Sequence, residues 1–142
     1  MNCFQAKPTK HLLVLKKSVF GVATFWTLSI AFLCLAKFND LPSFGVSGMD
    51  KYVHFTFHFV FTLLWSVYFS LAFKKIEGKL LLKILLASLL YGIALEFLQN
   101  EFTATRKADV YDVMANFTGA SIAVIIMIAF KRFSESEQLK NK

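Results

Sequence analysis

Cysteine, proline and acid are all scarce in this chain. Its 142 residues hold two Cys, two Pro and nine Asp or Glu, against sixteen Lys or Arg. Cys3 and Cys34 are far apart, and Cys34 falls inside an apolar run. No disulfide framework follows from such a pair. There is no HExxH signature, internal repeat, low-complexity tract or long linker. Nor is there a pair of Gly/Pro-interrupted apolar runs, the mark of the broken helices that many transporters use at mid-membrane.

What the chain has in excess is apolar surface. It is 56% hydrophobic, carries 17 Phe and has a mean hydropathy of +0.55. A soluble domain of this size cannot hide so much, because a small body has too much surface for its volume. Four windows instead fit membrane spans: 18–36, 52–73, 80–99 and 110–130. Each is close to the roughly 20 residues that carry a helix across about 30 Å of hydrocarbon. Strands are excluded because an isolated spanning strand leaves its backbone unpaired in lipid. The expected fold is an all-α integral membrane four-helix bundle over 18–130, with a basic N-terminal arm (1–17) and a polar tail (131–142). The tail segment SESEQLKNK is expected to fray.

The net charge of +7 follows this layout. Lys7, Lys10, Lys16 and Lys17 precede the first window. Lys74, Lys75, Lys79 and Lys83 cluster at the second connection, and Lys131, Arg132, Lys140 and Lys142 follow the fourth window. The other two connections share only Lys37, Lys51, Arg106 and Lys107. By the positive-inside rule both termini are expected in the cytoplasm, with loops 37–51 and 100–109 outside. Because the basic residues track topology rather than one folded face, a nucleic-acid partner is not expected. The apolar run at 18–36 is longer than the ~7–15 residues of a signal-peptide core, so retention of this segment as a span is expected despite the small-x-small sequence Cys34-Leu35-Ala36.

Polar residues inside the windows are the informative ones, since an Asp at mid-bilayer costs about 2.5–3.5 kcal/mol on insertion scales. At about 100° per residue, each helix gathers its polar residues on one face. Lys51, His54, His58, Thr62 and Trp65 share a face of the second span. Ser88, Gly92, Glu96 and Gln99 share one on the third, and Asp109, Asp112, Asn116, Gly119 and Ala123 share one on the fourth. The first span has a milder stripe of Thr24, Thr27, Ala31 and Cys34. With the expected topology, all the strongly polar groups fall in the outer half of the bilayer and enclose a pocket open to the outside.

Each group carries a plain reading beside the functional one. Ser88, Gly92, Gly119 and Ala123 suit close helix packing, as small-xxx-small faces do. Glu96, Gln99, Asp112 and Asn116 suit either a register-fixing hydrogen-bond network or a ligand site, with Lys51 and His54 beside them. Arg106, in a short turn, either compensates Glu101, Asp109 or Asp112 or offers a planar fork to a phosphate or carboxylate. Lys107 reads as a solvated interface residue.

No cofactor is implied. His54 and His58, at i and i+4, form a weak alternative metal pair that Glu96 and Asp112 would complete, or in which they would act as general base. Nucleophilic catalysis is disfavoured because the Ser and Cys residues are expected away from the His face. Three classes of function remain open: a membrane protein that binds a lipid headgroup or cell-wall precursor, a lipid hydrolase or transferase, and a small transporter. No established catalytic motif favours the enzyme.

The ordered set Asp50-Lys51-x-x-His54, Glu96-x-x-Gln99, a turn carrying Arg106, and Asp112-x-x-x-Asn116-x-x-Gly119 resembles the VanZ-like family of small bacterial membrane proteins, over roughly residues 49–130. The resemblance implies a bundle of about four transmembrane helices in the bacterial cytoplasmic membrane. Through the family's founding members it also implies a link to low-level teicoplanin resistance. It transfers no biochemical activity residue by residue. The chain departs from the pattern at Thr103-Ala104-Thr105, where a Pro is common, and at Ala123, where a second Gly often stands. Both departures bear on turn shape and helix packing.

Overall fold

A computed structural model describes residues 10–36, 48–102 and 109–140. Arg106, Lys107, Cys3 and most of the first connection lie outside the described residues. Four helices account for nearly all of the rest: α1 Lys10–Leu35, α2 Met49–Phe73, α3 Gly78–Phe102 and α4 Val110–Lys140. There is no strand among the described residues. All four helices are long and apolar enough to cross a membrane, as expected where the backbone has no water to bond to.

All four helices outrun their apolar windows, α1 and α4 by the most. α1 begins at Lys10, and α4 continues to Lys140, so 134–140 is helical rather than frayed. Local pairs support this extension: Lys131 with Glu135 at 3.9 Å and Lys140 with Glu137 at 3.2 Å, the spacings at which helical side chains meet. The α2–α3 connection is short. Lys74, just past the end of α2, takes a left-handed conformation with φ 54, a common way to close a helix. In that connection Lys75 lies 3.1 Å from Glu77 and holds its carboxyl below the usual range.

The bundle is apolar outside and small or polar inside. Phe25, Phe32, Leu90, Phe97 and Ile125 are well exposed, while Thr62, Ser66, Ser88 and Asn116 are fully buried. This is membrane logic: lipid tails are as apolar as Leu, so helices associate through close packing and hydrogen bonds. α2 and α4 run parallel and form the most intimate pair. A Cβ added at Gly119 would collide with the Phe55 carbonyl oxygen and meet the Phe59 amide nitrogen at 3.2 Å. Ala120 and Ala123, both fully buried, continue this close approach along α4.

α1 packs on α2 and α3 and, among the described residues, does not touch α4. Ile30 and Cys34 meet Phe61 and Leu95 in a small apolar cluster flanked by Trp26, Phe57, Trp65 and Tyr91. Three hydrogen bonds fasten it: Trp26 Nε1 donates to the Phe57 carbonyl (3.1 Å), Trp65 Nε1 to Thr27 Oγ1 (3.1 Å) and Tyr91 Oη to the Thr27 carbonyl (2.6 Å). The buried α1 stripe is therefore Ala23, Ile30 and Cys34, with Thr27 between them. Thr24 and Ala31 of the expected stripe are only partly buried.

Candidate functional site

The amino ends of α2 and α4 and the carboxyl ends of α3 and α1 meet at one end of the bundle. Spacings of three and four residues turn His54 and His58 of α2, Glu96 and Gln99 of α3, and Asp112 and Asn116 of α4 inward, and all six are buried. Lys51 stands half-buried at the rim, with Nζ 2.9 Å from Asp109 Oδ2, 3.3 Å from Asp50 Oδ2 and 3.4 Å from Asp112 Oδ1. Asp109 also accepts the Tyr111 amide at 2.8 Å. The Lys51 ammonium, helped by that amide, holds the Asp109 carboxyl below the usual carboxylate range. Such contacts favour the charged form of an acid.

His54 sits below this rim at the centre of the cluster. Its Nδ1 lies 3.3 Å from Asn116 Oδ1 and 3.7 Å from Glu96 Oε1, and its Nε2 lies 3.8 Å from Asp112 Oδ2. Each carboxylate has one oxygen engaged elsewhere. Glu96 Oε2 accepts the Asp109 amide at 3.2 Å, and Asp112 Oδ1 faces Lys51. Glu96 Oε1 and Asn116 Nδ2 are buried without a hydrogen-bond partner. Buried polar atoms are rarely left so, and each costs about 1–3 kcal/mol when it is.

Gln99 takes a different role from its neighbours. Its Nε2 donates to the Cys34 carbonyl at 2.9 Å, which ties α3 to α1. Ser88, Gly92, Gly119 and Ala123 all lie on buried faces. Gly92 admits the polar cluster directly: a Cβ there would meet Asn116 Nδ2 at 2.8 Å and His58 Cε1 at 3.1 Å.

At this site the structure corrects an expectation about Ser88. Ser88 does not lie away from the His face, because its Oγ is 2.8 Å from His58 Nδ1. Both side chains are fully buried, and no acidic group lies against His58 among the described residues, so the pair reads as an interhelical hydrogen bond. Among the described residues, those that can jointly hold a metal ion are His54, Glu96 and Asp112, and separately Asp50, Asp109 and Asp112. His58 belongs to neither group. His54, Glu96 and Asp112 of the alternative metal reading thus come together, and its second imidazole, His58, does not join them.

No curated protein and no solved structure matches the chain. The family profile described as VanZ/LLP1 matches residues 5–131, which takes in the four apolar windows and every residue of the polar cluster. The chain, a membrane protein with four candidate spans, therefore belongs to the VanZ-like family.

Proposed function

We propose that the polar end of the bundle binds the headgroup of an envelope lipid or a related cell-wall ligand, giving the protein a cell-envelope role in the bacterial cytoplasmic membrane. The observation that supports this most directly is Asn116 Nδ2, a fully buried donor with no partner. It lies beneath a rim that carries Lys51 and three carboxylates. Donor and acceptor groups side by side suit a ligand rich in hydroxyl or amide groups, since each leftover atom gains a bond when that ligand enters. Arg106 lies between Glu96 and Asp112 in sequence and would add a fork for a phosphate.

The test is mass spectrometry of lipid that co-purifies with the intact protein, beside Asn116→Ala and Arg106→Ala. One polar lipid class enriched over the bulk membrane, and depleted in both variants, is expected. Equal lipid content in all three proteins would assign the cluster to structure instead. The same reading predicts that expression shifts teicoplanin susceptibility, and that alanine at Glu96, Asp112 or Asn116 removes the shift while protein abundance holds.

A further inference from the structure

His54 is surrounded by more acceptors than its protons can satisfy. A neutral imidazole carries one N–H, yet its two nitrogens face Asn116 Oδ1, Glu96 Oε1 and Asp112 Oδ2 at 3.3, 3.7 and 3.8 Å. In a neutral ring at least one nitrogen lone pair therefore points at a carboxylate oxygen. Neither carboxylate is within hydrogen-bond reach of the ring, since such bonds run to about 3.2 Å. Positive charge between them would relieve the conflict.

The rest of the cluster is already arranged around that gap. His54, Glu96 and Asp112 each offer one ligand atom, and these atoms all lie within 4.8 Å of one another. All three residues are more than nine-tenths buried, and Glu96 Oε1 has no hydrogen-bond partner. The second oxygen of each carboxylate is held by another group: the Asp109 amide for Glu96 and Lys51 for Asp112. Asn116 Oδ1 in turn steadies the imidazole. Metal sites are built this way, with outer partners that orient the ligands. The other acidic group, Asp50, Asp109 and Asp112, is different. It gathers around the Lys51 ammonium and already has its cation.

We propose that His54, Glu96 and Asp112 bind one divalent transition-metal ion, zinc by preference, with one imidazole nitrogen and two carboxylate oxygens. Zinc accepts both donor types at about 2.0–2.2 Å, so in a four-coordinate site neighbouring ligand atoms stand about 3.4 Å apart. Without an ion the three ligand atoms lie within 4.8 Å of one another, so side-chain rotation has to close up to about 1.4 Å to reach that value. Two carboxylates and one divalent ion sum to neutrality, which removes the penalty for burying unpaired charge. A fourth position is left for water or for a ligand atom. The site stands independently of the headgroup reading.

The test uses full-length, tag-free protein in detergent, stripped with a chelator and titrated with Zn²⁺. About one ion per chain is expected. Glu96→Gln and Asp112→Asn, which keep size and shape, are each expected to weaken binding at least tenfold, since outer-partner losses alone cost about 10–100-fold. Ser88→Ala is expected to bind normally. Co²⁺ added to the wild-type protein should give visible d–d bands distinct from the aqueous ion, a readout that needs no variant to fold. Absence of both saturable Zn²⁺ binding and a Co²⁺ spectrum would overturn the proposal, as would Zn²⁺ binding that neither variant alters. Arg106→Ala separates the two readings, because it removes the proposed phosphate fork and leaves His54, Glu96 and Asp112 and the outer partners named for them unchanged.

Discussion

Gly119 of α4 lies against the main-chain carbonyl of Phe55 on α2 so closely that no Cβ fits between them. The obstacle is backbone, so rotation of a side chain cannot relieve it. Gly119→Ala is expected to push the parallel α2–α4 pair apart and to cost about 1–3 kcal/mol, the usual penalty for overpacking. Thermal unfolding in detergent reads this directly. An unchanged transition would mean that the two helices are not held at this separation.

Gly92→Ala is expected to behave differently. Its Cβ would meet Asn116 Nδ2 at 2.8 Å, and an amide at the end of a side chain can turn away. Stability should fall less than in Gly119→Ala. The displaced amide, however, loses its place beside His54, so co-purifying lipid should drop as it does in Asn116→Ala. A variant that melts early but keeps its lipid would contradict this ordering.

Much of the architecture is legible in the sequence because lipid leaves few alternatives. Uncharged runs of about 20 residues must be helices, and a polar residue in such a run must turn inward. That reasoning puts His54, Glu96, Asp112 and Asn116 on inward faces without knowledge of any contact. It works poorly for α1, whose attachment depends on donors carried by other helices. Trp65 and Tyr91 reach Thr27, and nothing in α1's own spacing signals them. The Ser88–His58 bond was hidden for the same reason: it joins residues 30 positions apart, and no single helix displays the pair. Glu96 and Asp112 are expected beside His54 from their polar faces, whereas His58, the expected second imidazole, falls outside that group. α4 extends to Lys140 although its polar composition suggests fraying, because charge pairs at helical spacing sustain the helix.

Ser88 and His58 offer a measure of interhelical bonding in this bundle. Each is fully buried and the Oγ–Nδ1 separation is 2.8 Å. Ser88→Ala and His58→Phe are each expected to destabilise, but the double variant should lose less than the sum. The coupling should be about 0.6–1.7 kcal/mol, the range found for hydrogen bonds between membrane helices. A double-mutant cycle isolates it. Simple additivity would show that the two side chains do not bond.

Lys51 is half-exposed at the rim, and its ion pairs are expected to add little to stability. Lys51→Met should shift the melting transition slightly at low salt and not at all at high salt, where exposed charges are screened. A large, salt-insensitive loss would show that Lys51 compensates Asp112 from a drier position than its exposure indicates.

Orientation in the membrane is the prediction on which the envelope role depends. The polar cluster lies at one end of the bundle, and the connection carrying Lys74, Lys75 and Lys79 lies at the other, with Lys16, Lys17 and Lys131. Basic residues are retained on the cytoplasmic side, so the lysine end should face the cytoplasm and the polar end the outside. A reporter active only in the cytoplasm, fused after residue 142, is expected to be active. One inserted within 103–108 should be silent, while a reporter that needs export should give the opposite pattern. An external carboxyl terminus would turn His54, Glu96, Asp112 and Asn116 towards the cytoplasm. Cell-wall precursors on the outer face would then be out of reach, and the ligand would have to come from the inner leaflet.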